Sequence, residues 1–238
     1  MNYRFISTAR EISTLDSRKV SKMEWGIISS EGEVLLPIEY DEIGELIPGY
    51  DCFTVKQKGK RGLVGLDFKI RVPCIYDRIV PWGNHYFEVG QFPKDRRLIT
   101  KPLWGIMSQK GEILLPIEYD EIYRHEADVG FIIVKSHSKY GIVDINFNKC
   151  IPCDYDMIEP WGNNLFKVTV WHGSEYDIHK HTYFIVNQSN ARIDDIDYSY
   201  IGSLDSRLDN RAWATTSDGR DIYLDADGRE IMIGKDNV

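Results

Sequence analysis

Short runs of alternating apolar and polar residues, separated by turn-forming residues, fill most of the chain. Four of them follow one another near the start: Trp25 to Ser29, Glu33 to Leu36, Tyr40 to Ile47 and Cys52 to Lys58. Glu31-Gly32 is a tight-turn signal between the first two runs, and Pro37 ends the second. Period-two alternation bounded by glycine and proline is typical of β-strands, so this segment predicts a four-stranded meander.

The same pattern recurs along the chain at fixed offsets. Trp25-Gly26 is followed by Gly32, Pro37, Tyr40-Asp41 and Ile43, and a copy with the same offsets begins at Trp104-Gly105. Further copies start near residues 61, 140, 183 and 221, of which the last two are decayed. The copies that start at 25 and 104, at 61 and 140, and at 104 and 183 share a common separation of 79. The six repeats therefore form three pairs.

A single meander cannot bury its apolar face alone, so neighbouring repeats must stack around a shared core. The sequence predicts an all-β fold: one domain over residues 1–238, closed into a propeller-like ring that leaves no long sheet edge exposed. An open β-solenoid is the alternative. Tyr3 to Thr8 resembles Tyr86 to Val89, the strand before Trp104, and is the candidate to complete the ring.

Two segments carry a family resemblance, W25GIISSEGEVLLPIEYDEI and W104GIMSQKGEILLPIEYDEI. They are similar to the WG-repeat family, found chiefly in bacteria, whose consensus resembles Trp-Gly, an aliphatic pair, a turn glycine, then Pro and Tyr-Asp. The resemblance implies a protein presumed to mediate interactions. Arg61 and Tyr140 replace the signature tryptophan, and Asp195 replaces the proline, so these repeats need not present the same surface.

The formal net charge is −8, and the segment from Asp194 to Val238 contributes eleven acidic against five basic residues. Nucleic-acid binding needs a basic footprint, so nucleic acid is a poor partner. The acidity is consistent with a basic protein partner, although maintaining solubility is the simpler explanation. Apolar runs fall far below the roughly 20 residues of a membrane helix. Because the N-terminus also lacks the apolar stretch of a secretory signal, we expect a cytoplasmic location.

Three apparent metal motifs coincide with structural positions of the repeat or with a loop. Cys150 and Cys153 have redox or zinc spacing, but they occupy apolar positions of the repeat. Asp225-Ala226-Asp227-Gly228 resembles the start of a calcium loop, yet Asp227-Gly228 falls on the hairpin turn. The histidines of the long connection, His172, His179 and His181, fit a solvated loop better than a metal site. We expect neither metal nor cofactor.

No catalytic motif accompanies the repeat. The Asp of each Tyr-Asp pair recurs in every well-kept copy, which indicates a structural hydrogen bond to nearby backbone amides and not a catalytic carboxylate. G-x-S-x-G, H-E-x-x-H and phosphate-binding glycine loops are absent from the sequence. The sequence therefore predicts a protein that is not an enzyme.

Residues that depart from the repeat are the better candidates for function. The connections from Ile79 to Trp104 and from Ile158 to Tyr183 are equally long, and both exceed the connection from Ile43 to Arg61. Aromatic and arginine side chains anchor many interfaces, and the two longer connections supply the partner-binding candidates Trp82, Arg96, Arg97, Trp161, Trp171 and Tyr176. A packing role stays open for Trp82 and Trp161, which recur at the spacing of the paired repeats.

Two functions remain at this stage. The first is a protein–protein interaction module on a rigid β-scaffold, including an inhibitor or immunity-type protein for a basic partner. The second is a small-molecule or carbohydrate receptor that uses tryptophan and tyrosine side chains as stacking platforms.

Overall fold

The computed structural model describes residues 3–13, 19–93, 101–123, 130–173 and 180–231. Within these ranges the regular structure consists of antiparallel strands and one short 3-10 helix, Ser206–Leu208, which confirms the all-β class. The chain divides into two compact halves, Met1–Glu118 and Tyr119–Val238. The single domain expected from the sequence stays a prediction.

The N-terminal half contains three sheets whose strands lie in chain order. Sheet 1 contains β1 (Tyr3–Ser13), β2 (Lys19–Ser29) and β3 (Val34–Tyr40). Sheet 2 contains β4 (Glu42–Ile47), β5 (Cys52–Gln57), β6 (Lys60–Gly65) and β7 (Ile70–Tyr76). Sheet 3 contains β8 (Arg78–Gly83), β9 (Tyr86–Gln91), β10 (Leu103–Ser108) and β11 (Ile113–Tyr119).

The C-terminal half contains a four-stranded sheet and a seven-stranded one. Sheet 4 contains β12 (Glu121–Tyr123), β13 (Phe131–Ser136), β14 (Lys139–Asp144) and β15 (Lys149–Tyr155). Sheet 5 contains β16 (Met157–Pro160), β17 (Leu165–Trp171), β18 (His181–Asn187), β19 (Tyr198–Ile201), β20 (Ala212–Thr216), β21 (Asp221–Leu224) and β22 (Glu230–Ile231). Strand β19 connects two parts of sheet 5, β16 to β18 and β20 to β22, because Tyr198 pairs with Tyr183 of β18 while Ile201 pairs with Ala214 of β20.

The sheets are out of phase with the sequence repeats. The run Tyr40 to Ile47 was expected to form one strand within a four-stranded repeat, but Asp41 divides it and the two parts belong to different sheets. Tyr40 pairs with Trp25 in sheet 1, whereas the amide of Asp41 donates to the carbonyl of Lys56 in sheet 2 at 2.7 Å. The chain therefore changes partner strand at this residue and turns a corner between sheets. Each of the first four repeats contributes strands to two consecutive sheets.

The glycine and proline of the repeat form one bulge. Between β14 and β15, Tyr140 pairs with Tyr155 and Ile142 pairs with Ile151, so the strand that holds Pro152 is two residues longer over this stretch. A Cβ atom on Gly141 would lie 2.6 Å from the carbonyl oxygen of Ile151 and 2.9 Å from the carbonyl carbon of Pro152. Only glycine permits this close approach of the bulged strand.

The hydrophobic cores lie between consecutive sheets within each half. Ile27 and Leu36 of sheet 1 pack with Val55 and Val64 of sheet 2, and all four are at most 2% exposed. Equivalent clusters lie between sheets 2 and 3, between sheets 4 and 5, and between the two parts of sheet 5. Each fully buried aliphatic side chain contributes about 1.5–3 kcal/mol, so mutual burial of sheet faces explains why a repeat needs a neighbour.

The N-terminal strand takes the place that its likeness to the strand before Trp104 implied. Tyr3 pairs with Ser29 as Tyr86 pairs with Ser108, and β1 follows β2 over its whole length. This pairing makes β1 the first strand of sheet 1. Closure of a ring by this strand stays a prediction.

Candidate functional site

The carboxylates of the Tyr-Asp pairs hold the corners between sheets. In Asp41, Asp77, Asp120 and Asp156 the Oδ2 atom accepts a hydrogen bond from a backbone amide further along the chain, at 2.9, 2.9, 3.3 and 2.9 Å. Three of these carboxylates also pair with a lysine: Asp41 with Lys22, Asp77 with Lys60 and Asp156 with Lys139. The predicted structural hydrogen bond is confirmed, so these groups stabilise corners in every well-kept repeat.

The environment of Asp41 changes its acidity. Burial alone would raise the pKa of this carboxyl, but the hydrogen bond and charge of Lys22 and the amide of Gly59 outweigh burial and hold the pKa below its usual value. The carboxylate is therefore charged at neutral pH and contributes most to stability in that form.

The four cysteines are free thiols, one buried and three half-buried. Cys52 is fully buried, and burial raises the pKa of its thiol. Cys74 and Cys153 occupy the same place in two repeats, where each Sγ contacts the carbonyl oxygen of a valine, Val55 at 3.8 Å and Val134 at 3.9 Å respectively. Burial also raises the thiol pKa of Cys74 and Cys150, which lowers the thiolate fraction that redox chemistry and metal binding require.

The acidic turn near the C-terminus is a hairpin cap. The Oδ1 atom of Asp225 accepts hydrogen bonds from the amides of Asp227 and Arg229, both at 2.9 Å. Ser29 accepts the same two bonds in the first repeat, from Glu31 and Glu33. Gly228 has φ +73°, which is the backbone requirement inferred from the repeat.

The histidines of the second long connection do not share one environment. His172 lies just beyond β17, where its Nε2 is 2.8 Å from the Oγ1 of Thr182. His181 is buried at the start of β18 and stacks on Trp171, with ring centroids 5.6 Å apart. His181 was expected in a solvated loop; instead its place in a strand buries it. His179 lies outside the described residues.

The partner-binding candidates fall into three groups. Trp161 is 9% exposed and donates its indole N–H to the carbonyl of Asp225 at 3.2 Å, so it packs in the core of sheet 5. Trp82 and Trp171 are half-buried. Three candidates, Arg96, Arg97 and Tyr176, lie outside the described residues.

Sheet 5 presents an aromatic face that the sequence reasoning missed. Trp213 and Tyr223 are cross-strand partners on β20 and β21 with ring centroids 5.4 Å apart in an edge-to-face arrangement. Tyr200 on β19 pairs with Thr215 and extends the same face. Trp213 is 43% exposed and Tyr200 51% exposed. We call these three residues the aromatic face.

A sequence signal for this face exists in hindsight. In Ala212-Trp213-Ala214 a tryptophan stands between two alanines that are buried, at the position held by Thr54 in the second sheet. A large aromatic residue that stays exposed at this position departs from the repeat.

Acidic and hydroxyl groups accompany the aromatic face. Asp221 lies opposite Thr215 and accepts a hydrogen bond from its Oγ1 at 2.8 Å. Beyond the strand ends, Asp197, Thr216, Asp218 and Arg220 line a shallow cleft of roughly 270 Å³. The guanidinium of Arg220 is already paired with Glu230. The cleft is smaller than most small-molecule sites, whose volumes begin at roughly 300 Å³.

These observations define a tandem-repeat β-protein whose repeated residues are structural. A family model for the "WG containing repeat" matches residues 25–60, 104–140 and 140–170. These three segments are therefore WG repeats, and the resemblance seen in the sequence is confirmed for them. No curated protein matches the chain in sequence.

Several solved structures are distantly similar. Hsv2 of Kluyveromyces lactis matches with 11% identity and a TM-score of 0.30, covering 76% of this chain and 58% of that one. Apo AztD from Citrobacter koseri gives 10% identity, a TM-score of 0.30 and coverage of 88% and 64%. The AfRom2 CNH domain has 8% identity and a TM-score of 0.31, and the match covers 94% of this chain and 83% of that one. The chain spans about three-fifths of the first structures it matches. Within its described residues, this chain has no helix with the length and apolarity to cross a membrane.

Proposed function

We propose that this protein is a non-enzymatic interaction module that binds a protein partner through the aromatic face. The single observation that carries the proposal is the exposure of Trp213 and Tyr200 on paired strands of sheet 5. Tryptophan and tyrosine are enriched among residues that dominate binding energy, because they bury a large area while few torsions are fixed.

The scaffold supports this function because the aromatic side chains project from hydrogen-bonded strands. The other face of β20 and β21 is packed in the core of sheet 5, which holds the two strands in place. Its residues are at most 6% exposed: Ala212, Ala214, Ile222 and Leu224. A preformed aromatic surface loses little conformational entropy on binding.

Charge favours a basic partner. The segment containing the face has eleven acidic and five basic residues, and Asp221 lies on the face itself. Such a surface steers basic proteins and suppresses acidic ones. In this proposal the chain acts as an inhibitor or immunity-type protein in the cytoplasm of a bacterium.

The test compares Trp213→Ser with a matched control, Met157→Ser. Met157 is 44% exposed on β16, so both changes remove an apolar side chain of similar exposure. Affinity capture from the native host identifies the partner, and calorimetry measures its dissociation constant for each variant. We expect Trp213→Ser to weaken binding about 30-fold or more and Met157→Ser to leave it unchanged. Equal binding by both variants would refute the site, and binding that ignores salt would refute the charge argument.

A second candidate function is a carbohydrate or small-molecule receptor. The specific observation in its favour is the aromatic stack of Trp171 on His181 beside the long connection, since flat aromatic surfaces bind sugar rings. A thermal-shift screen distinguishes the two functions. A stabilising small molecule that loses its effect in Trp171→Ala supports a receptor.

Closure of the six repeats into a ring is part of the proposal. A compact particle of this length has a radius of gyration of roughly 18 Å, which small-angle scattering measures directly. A clearly larger value supports the open solenoid instead.

A further inference from the structure

In the described part of the chain, strand β1 lacks a neighbour that the corresponding strand has in every other sheet. Val55 of β5 pairs with Gly62 on one side and with Ile43 on the other. Val89 of β9 pairs with Gly105 and Ile79 in the same way. In β1 the matching residue is Ile6, which pairs with Gly26. Among the described residues, no strand pairs with the other edge of β1.

The side chain at this position registers the missing neighbour. Val55, Val89 and Val134 are at most 2% exposed, and each lies opposite an isoleucine of the preceding strand. Ile6 is only half-buried, and no such isoleucine lies beside it in the described part of the chain. In the described residues of sheet 1, Ile6 thus has the position of the buried valine but lacks the cross-strand isoleucine.

The other sheets show which backbone groups of β1 face the edge away from β2. In sheets 2 to 5 the amide of the repeat aspartate donates to a carbonyl one residue after this position: Lys56, Gly90, Lys135 and Thr169, at 2.7, 2.9, 2.8 and 3.0 Å. The corresponding carbonyl in sheet 1 belongs to Ser7. Within the described ranges, no amide donates to it across that edge. An extended strand presents N–H and C=O of one residue on the same side, so the Ser7 amide faces that edge as well.

We propose that the open edge of β1 binds an extended segment of another protein that carries the sequence pattern Asp-x-Ile. The segment adds antiparallel to β1, with its isoleucine opposite Ile6 and its aspartate amide bonded to the Ser7 carbonyl. The repeat itself supplies this chemistry, because Asp-x-Ile begins the strand at this place in the other sheets: Asp41–Ile43, Asp77–Ile79, Asp120–Ile122 and Asp156–Ile158.

Strand addition suits this edge physically. β1 is 11 residues long and contains no proline, so it is a long template for main-chain hydrogen bonds. Main-chain bonds supply affinity in this mode of recognition, and side-chain positions supply specificity. The proposal concerns a surface separate from the aromatic face and does not depend on its function. It requires that this edge of β1 is not used to close a ring.

The test uses the full chain and a synthetic peptide with the sequence of residues 40–48, YDEIGELIP. Fluorescence anisotropy of the labelled peptide measures binding to the wild type, to Ser7→Pro and to Ser7→Ala. Proline at position 7 removes the N–H that faces the edge away from β2, and it breaks no hydrogen bond to β2. Alanine keeps this N–H. We expect Ser7→Ala to bind like the wild type and Ser7→Pro about tenfold more weakly. A peptide with serine in place of isoleucine is expected to lose about tenfold as well.

Hydrogen exchange keeps the test decisive if Ser7→Pro does not fold. In the wild type the Ser7 amide is expected to exchange rapidly when free and slowly with saturating peptide. Absence of peptide binding, or binding that neither slows this amide nor depends on the isoleucine, would overturn the proposal. A dimer that forms through β1 and excludes the peptide would also overturn it, in favour of a second copy as the occupant.

Discussion

Replacing Gly141 by alanine tests whether the Trp-Gly signature exists to admit the proline bulge. The added Cβ atom would lie 2.6 Å from the Ile151 carbonyl oxygen, inside the 3.0 Å limit that real contacts respect, and 2.9 Å from two further backbone atoms. Because backbone and not a flexible side chain must move, the overpacking cost lies near the upper end of the usual range, about 3 kcal/mol. Reduced entropy of the unfolded chain offsets roughly 0.7 kcal/mol. The expected loss in the free energy of unfolding is therefore about 2 kcal/mol.

Urea denaturation measures this loss, and Gly162→Ala in the same half is the matched control. A Cβ atom on Gly162 would first meet the Leu204 methyl group at 3.2 Å, and this side chain can rotate away. We expect the control to change the free energy of unfolding by about 0.5 kcal/mol or less, with an unchanged urea slope in both variants. A loss below about 0.5 kcal/mol in Gly141→Ala would refute the close-approach argument.

The same reasoning predicts coupling between glycine and proline. In the fifth repeat Phe184 and Asp195 replace the two residues together. Pro152→Ala relaxes the bulge, so we expect Gly141→Ala to cost at least about 0.5 kcal/mol less in that background. Strict additivity in a double-mutant cycle would show that the two residues act independently.

Three further predictions concern charge, thiols and the aromatic face. Because the folded pKa of Asp41 lies below its unfolded value, its contribution is present above about pH 4 and is lost as pH falls through the folded pKa. Asp41→Asn should therefore lower the urea midpoint at pH 7 and reduce the decrease of that midpoint on acidification. An equal decrease of the midpoint in both proteins would contradict this. Buried Cys52 should react with iodoacetamide at pH 8 on the order of tenfold more slowly than in urea, as mass spectrometry can measure, and equal rates would contradict its burial. Trp213→Ser should cost only about 1 kcal/mol or less of stability, because Trp213 is 43% exposed, so a larger loss by thermal melting would indicate a core role.

Much of the local structure was predictable from spacing alone. The strand runs and the Glu31-Gly32 turn follow from hydrophobic alternation and turn chemistry, which depend on near neighbours in the chain. Recurrence predicted the backbone role of the Tyr-Asp carboxylates, but the donating amides lie 15 to 18 residues further along the chain. Recurrence also identified the apparent calcium loop as a hairpin turn, because Asp227-Gly228 falls on the turn position of the repeat. The structure adds that Asp225 accepts the same two hydrogen bonds there as Ser29 does in the first repeat. The candidate surface was not predictable in the same way, since the exposure of Trp213 depends on which strands lie around it.

The sequence by itself determined the repeat, its strands and its turns, because a fixed spacing of glycine, proline and tyrosine imposes the same local geometry each time. Only the tertiary structure decided which strands share a sheet. The repeated sequence does not specify which of its strands begins a sheet. The change of partner strand at Asp41 depends on the carbonyl of Lys56, which lies in β5. The same pairing decided that β1 has no neighbour on one edge among the described residues, since an unpaired strand differs from a paired one only in its neighbours.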